Sequence, residues 1–350
     1  TFAMATGTGK TITALSAATQ AALHTARQDK PLLVLVIVPL IDLVVQWTSD
    51  AEWFGFRPAM CHGQLTAGQK NYLKSAFSAA RSNFGRRAEM IITTAGSLTP
   101  LGGKSASEHF LQRQLQRHDG PMLVIGDEMH SLGTLSRINA LPKNPTFTLG
   151  LSATPKRHGD EEGTGRLLAY FGNPVVSINI KDAIYKYNAL VEYDYHPLRI
   201  LLTVTEAEDY RLISARIAAA FAAGDEQKAE QEIRRRTRLT QHAANKQVEL
   251  RSLMQSGLKD KTHQIIYVAE GRNPDTDLQQ LAEAERILRD EFSMKVERYY
   301  GETETVQREA LQQRLANGEI HALLAMKCLD EGVDIPSARI GGITASTQNP

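Results

Sequence analysis

Residues 32–38 form an unbroken apolar run rich in Val and Leu, the pattern of a strand buried on both faces. Pro39 ends it, and residues 41–53 carry apolar side chains at helical spacing. A second crossover follows through 57–61 and a helical 67–80, then a short strand at 90–93 and a helix at 108–118. Two further apolar runs, 121–125 and 147–149, complete a first series of alternating strands and helices. Residues 206–256 differ in texture, with helix formers, no proline and apolar positions three and four apart. A second alternating series then begins: strand 264–269, helix 277–291, strand 296–300, helix 305–316 and strand 322–326. Alternation of this kind predicts an α/β fold with right-handed crossovers and mostly parallel sheets. Ligands of such sheets gather beyond the carboxyl ends of the strands. The expected division is 1–180 for one α/β domain, 181–260 for a connector and helical segment, and 261–350 for a second α/β domain.

Bulk properties change this picture little. The 350 residues suffice for about two domains with cores of their own. With 42% hydrophobic and 23% charged residues, the chain is neither disordered nor collagen-like. A net charge of +1 shows no basic excess, although a groove can be basic while the average is neutral. The only cysteines, Cys61 and Cys328, lie far apart, which argues against a disulfide scaffold and fits a reducing cytoplasm. The most apolar stretch, 31–45, is broken by Pro39 and Asp42 and is too short to span a bilayer, so no membrane role is expected.

The polar motifs sit at the predicted strand ends. Ala5-Thr6-Gly7-Thr8-Gly9-Lys10-Thr11 directly precedes an alanine-rich helical run. Its glycines let backbone N–H groups face a polyphosphate, and the helix start adds its dipole. Lys10 then supplies charge to the outer phosphates and Thr11 a hydroxyl ligand for Mg2+. The spacing fits G-x-x-x-x-G-K-[ST], except that Met4 replaces the first glycine; a glycine-rich helix start is the plainer alternative. After strand 121–125 comes Gly126-Asp127-Glu128-Met129-His130. Adjacent acids at the end of a buried strand are costly unless they meet a cation. Asp127 is placed to hold the nucleotide's magnesium, and Glu128 to orient and deprotonate the attacking water. As an isolated pair they would be a solvated strand end; a phosphate loop upstream favours the chemistry. Ser152 and Thr154 follow the next strand in Leu151-Ser152-Ala153-Thr154-Pro155, either as turn punctuation or as sensors of the acids.

Taken together, Ala5–Thr11, Asp127-Glu128-Met129-His130 and Ser152-Ala153-Thr154 resemble motifs I, II and III of superfamily II helicases and translocases, with motif II in DExH form. Val38-Pro39-Leu40 through Gln46-Trp47 resembles motif Ia, and Thr93-Thr94-Ala95-Gly96-Ser97-Leu98 motif Ib. The relaxed start of the loop at Met4 is normal in that superfamily. Val45-Gln46-Trp47 and the sequence LGLSATPK at 149–156 are most similar to the type III restriction subunits and XPB-like duplex translocases. In the second series, Tyr300-Gly301-Glu302-Thr303 falls where the family contacts the phosphate backbone, and LAMKCLDEGVDIP at 324–336 resembles motif V.

The resemblance implies two RecA-like domains around a cleft, binding ATP and Mg2+ and moving along nucleic acid, DNA rather than RNA. It places Thr6, Gly7, Thr8, Gly9, Lys10, Thr11, Gly332 and Asp334 on the nucleotide, Thr11 and Asp127 on magnesium, and Lys10, Asp127, Glu128 and His130 in hydrolysis. His130, Ser152 and Thr154 would couple hydrolysis to domain closure. Pro39, Thr94, Gly96, Ser97, Gly301 and Lys327 would touch nucleic acid. The implied setting is restriction, repair or defence, with a nuclease or methyltransferase domain or subunit as possible partner. An RNA-dependent ATPase and a non-translocating ATP- and duplex-binding switch remain as alternatives. The chain begins inside the loop and stops at Thr347-Gln348-Asn349-Pro350, short of the family's Q-x-x-G-R-x-x-R. The resemblance therefore implies truncation at both ends and weak ATP hydrolysis by these 350 residues alone. Arg234-Arg235-Arg236 and Arg238 form a basic helical run, readable as a solvated face or as phosphate contacts.

Overall fold

A computed structural model describes residues 1–63, 65–82, 88–99, 106–157, 159–268, 274–300, 305–326 and 335–344. The chain divides into two compact units, Thr1–Asp194 and Tyr195–Pro350.

Seven strands build the sheet of the first unit: β1 (Phe2–Met4), β2 (Leu33–Val38), β3 (Pro58–Cys61), β4 (Glu89–Thr94), β5 (Met122–Gly126), β6 (Phe147–Ser152) and β7 (Val176–Ile178). Their order is β3-β4-β2-β5-β6-β1-β7, and every pairing between them is parallel. Strand periodicity decides how the core divides. Leu33, Leu35 and Ile37 face one layer with Leu73, Phe77, Leu111 and Phe171. Val34, Val36 and Val38 face the other with Ala14, Leu15, Val44 and Trp47. Helices Lys10–Ala26 and Ile41–Trp53 thus cover one face, and Ala67–Ala79, Ala106–Gln116 and Glu161–Phe171 the other. Both faces of β2 being covered explains its continuous apolar run, all six residues of which are buried.

Parallel pairing also fixes where polar residues collect. Leaving β2, β4, β5 and β6 at the same edge, the chain presents Pro39, Ala95, Asp127 and Ala153; β1 leads from that edge into the loop Ala5–Gly9. Although only three residues form β1, it pairs with both β6 and β7, and Ala5 N donates to Ile178 O at 2.9 Å. The start of the loop is therefore anchored on both sides.

In the second unit, helices Val204–Ala222, Glu226–Gln241 and Asn245–Gln255 precede a four-stranded sheet. Thr203 opens the first of these helices with a capping box closed by Glu206. The sheet holds β8 (Gln264–Tyr267), β9 (Val296–Tyr300), β10 (Ala322–Met326) and β11 (Ile340–Ile343) in the order β11-β8-β10-β9, all parallel. Alternation repeats: Ala322 and Leu324 pack with Leu281, Leu288 and Val296, whereas Leu323 and Ala325 pack with Tyr299, Leu315 and Ile320. In the basic run, Arg234, Arg235 and Arg238 are exposed, while Arg236 lies over the Tyr210 ring and donates to Ser214 Oγ. No helix among the described residues is long and apolar enough to cross a membrane.

Candidate functional site

The loop after β1 turns through two glycines in left-handed backbone, Gly7 at φ 81° and Gly9 at φ 82°. A Cβ on Gly7 would lie 2.9 Å from a terminal methyl of Leu190, which could give way, so it is the left-handed backbone that requires glycine there. Gly9 caps the helix Lys10–Ala26, and Thr8 ties the loop back on itself by donating from Oγ1 to Ala5 O at 2.6 Å. The first N–H groups of such a helix have no partner within it, which makes this end a natural anion seat. Thr6, Gly7 and Gly9 are exposed, and Thr11 lies half-buried in the first turn.

Lys10 reaches across the strand edge, donating from Nζ to Glu128 Oε1 at 2.7 Å, with the two side chains 10% and 16% exposed. Glu128 Oε2 lies 3.4 Å from His130 Nδ1, which also lies 3.1 Å from Ser152 Oγ. Thr154 N donates to the same Ser152 hydroxyl at 3.1 Å. Lys10, Glu128, His130, Ser152 and the Thr154 backbone therefore form one continuous polar chain along the carboxyl ends of β1, β5 and β6. Glu128 stands in left-handed backbone, φ 42° and ψ 54°, uncommon for a residue with a side chain and of the kind that collects at working sites. Burial lowers the pKa of His130, against the opposing pull of Glu128. The imidazole is thereby biased toward its neutral form.

Asp127 sits beside this chain but deeper. Its Oδ2 accepts from Trp47 Nε1 at 2.8 Å, its Oδ1 from Glu128 N at 3.0 Å, and its own N–H donates to Ile37 O at 2.8 Å. Burial raises its pKa; the Trp47 hydrogen bond opposes this, Glu128 adds to it, and Lys10 opposes it. Trp47 belonged to the motif Ia resemblance, but nothing in the sequence showed that its indole meets an acid 80 residues away. Arg157 is a second unforeseen participant. It donates from Nη1 to the His130 carbonyl and from Nε to Asp160 Oδ2 at 2.8 Å, tying the turn after β5 to the loop after β6.

These residues fit a magnesium nucleotide. The loop offers an anion seat, Lys10 a cation, and Thr11 and Asp127 the oxygen donors that a hard divalent ion prefers. Among the described residues no group of three or more His, Cys, Asp or Glu could hold a metal alone. An ion here would therefore draw its remaining ligands from phosphates and water.

The expected nucleic-acid residues are not joined to this chain by any hydrogen bond described. Pro39 follows β2, half-buried. Thr94 is buried and caps the short helix Ala95–Leu98, accepting from Ser97 N at 3.1 Å and donating to Ser97 Oγ at 2.9 Å. Gly96 is exposed and Ser97 half-buried on that turn. Gly301, Lys327, Gly332 and Asp334 lie outside the described residues, as does Cys328. Cys61 is a buried free cysteine whose thiol is pushed up to about 11 by burial, which makes it a packing residue.

Residues 1–157 match the family described as type III restriction enzyme, res subunit, and residues 245–350 the helicase conserved C-terminal domain. No curated protein matches the chain in sequence. The Hef helicase domain of Pyrococcus furiosus is similar in structure, with a TM-score of 0.51 at 13% identity over 98% of this chain and 85% of that one. The DUF1998 helicase MrfA, solved with DNA and AMPPNP, gives 0.50 at 14% identity over 92% of this chain and 39% of that one. At such identities the likeness is one of fold, two α/β units of the RecA-like kind.

Proposed function

We propose, for a chain that is a superfamily II helicase core of the type III restriction subunit and XPB-like kind, that its first unit hydrolyses ATP to drive movement along duplex DNA. The observation that supports this best is the polar chain from Lys10 through Glu128 and His130 to Ser152, set at the strand edge where the glycine loop opens. Loop N–H groups and Lys10 would bind the outer phosphates, with Thr6 and Thr8 shaping the loop around them. Magnesium, held by Thr11 and Asp127, would draw charge off the transferring phosphoryl group. Glu128 would take a proton from the attacking water while His130, neutral and hydrogen-bonded, steadies its second oxygen. Ser152 and Thr154 would carry the state of this carboxylate into the loop after β6. From outside the described residues, Gly332 and Asp334 are assigned to the nucleotide, and Gly301 and Lys327 to nucleic acid.

Duplex DNA is preferred because Trp47, Ser152 and their flanking sequence resemble the restriction and XPB-like group, and the res-subunit family matches that half of the chain. A nuclease or methyltransferase partner follows from the same reading, and a cytoplasmic setting from the two widely separated cysteines, Cys61 and Cys328. Contacts of Pro39, Thr94, Gly96 and Ser97 would be to the backbone, so base sequence should matter little. Duplex DNA is expected to stimulate ATP hydrolysis well above single-stranded DNA or RNA, and a triplex-forming strand to be displaced in step with hydrolysis. Stimulation by RNA alone would make the chain an RNA-dependent ATPase. Stimulation by duplex without displacement would make it a switch.

A further inference from the structure

Trp47 is 1% exposed and locked in the core layer with Val36, Val38, Leu43, Val44 and Leu15. A ring packed in that way cannot swing its N–H elsewhere. The indole N–H is donor only, and it meets Asp127 Oδ2 at 2.8 Å. The other oxygen, Oδ1, is fixed at 3.0 Å by the N–H of Glu128. With one donor on each oxygen, rotation of the carboxylate about its Cβ–Cγ bond is arrested, and the lone pairs left over point in set directions. A flexible carboxylate would have to be ordered each time an ion arrived; this one is ordered beforehand.

We propose that Trp47 is a positioning residue, whose indole N–H holds the Asp127 carboxylate in the orientation that receives the nucleotide's magnesium. This rests on the reading of Lys10, Thr11 and Asp127 as a magnesium–nucleotide site. The hydrophobic character of Trp47 would be served equally by another large apolar ring; the N–H is what the inference concerns.

The test replaces Trp47 by benzothienylalanine, a ring of the same shape in which sulfur stands for N–H, and separately by phenylalanine. A fluorescent ATP analogue reports binding with EDTA and across a Mg2+ titration. Thermal unfolding checks that both variants fold. The Mg2+ concentration for half-maximal tightening of binding is expected to rise on the order of tenfold or more in the isostere, as for other residues that orient a metal ligand, with binding in EDTA unchanged. In a Trp53→Phe background, Trp47 is the only tryptophan, and its emission is expected to shift when Mg2+ joins bound nucleotide. An unchanged Mg2+ midpoint in the isostere, while Asp127→Asn raises it, overturns the role of Trp47 and leaves the site standing. If neither Asp127→Asn nor Lys10→Ala alters metal or nucleotide binding, the site reading itself fails and the inference falls with it.

Discussion

Glu128→Gln is expected to lower ATP turnover roughly a thousandfold in the full-length protein and to leave ATP binding intact, the scale for loss of a positioned general base. The geometry explains the split. Glu128 Oε1 accepts from Lys10 at 2.7 Å, and an amide oxygen at that place can accept the same hydrogen bond, so the lysine keeps its position. The amide cannot take a proton from water, and its neighbour His130, with a pKa lowered by burial, sits two residues further along the chain rather than in the same place. Removing a negative charge from beside the phosphates should, if anything, tighten nucleotide binding. Steady-state hydrolysis together with equilibrium binding of ATP measures both halves, and turnover retained at the wild-type rate would remove Glu128 from its role.

Lys10→Ala is expected to weaken ATP binding by about ten- to a hundredfold, the range for a lost hydrogen bond to a charged group. The loss has two sources. The phosphates forfeit their ammonium partner, and Glu128, paired with Lys10 at 2.7 Å, is left as an unbalanced anion facing them. Adding Glu128→Gln to Lys10→Ala should therefore gain more affinity than Glu128→Gln gains in the wild type, a non-additivity expected only if the two side chains share one site. Direct binding of a labelled ATP analogue to the single and double variants measures it. Equal affinity in Lys10→Ala and wild type would discredit the loop as the phosphate seat.

β2 and β5, buried along their whole length, were legible because burial on both faces leaves a continuous apolar run, and the helix Ile41–Trp53 was legible from its apolar residues at helical spacing. Three strands were not. β1 and β7 have three residues each, and only partly buried pattern in β7, too short for any period to register. β11 reads Ile-Gly-Gly-Ile, and glycine is a poor strand former held there by pairing with β8. In the site, Lys10, Asp127, Glu128 and Ser152 could be picked out because their motifs fall at strand ends of a parallel sheet, which share an edge, and His130 because Asp127-Glu128-Met129-His130 resembles motif II. That Lys10 and Glu128 pair directly, and that Glu128 adopts left-handed backbone, depends on side-chain reach and local dihedrals that residue type does not encode. Trp47 on Asp127, Leu190 against Gly7 and Arg157 on the His130 carbonyl are contacts between distant segments. Such contacts exist only once the layers have packed. Thr94, expected at nucleic acid, also caps a four-residue helix with its hydroxyl, a local role that residue type alone does not announce.

The glycine loop, Lys10 and the two acids after β5 are expected to surround one triphosphate. Crystals grown with Mg2+ and a non-hydrolysable ATP analogue test it most directly. Electron density is expected for phosphates against the N–H groups of residues 7–11, with Lys10 Nζ turned onto them and the metal between Thr11 and Asp127. Density for the nucleotide at any other place on the chain, with the Lys10–Glu128 pair undisturbed, would contradict it.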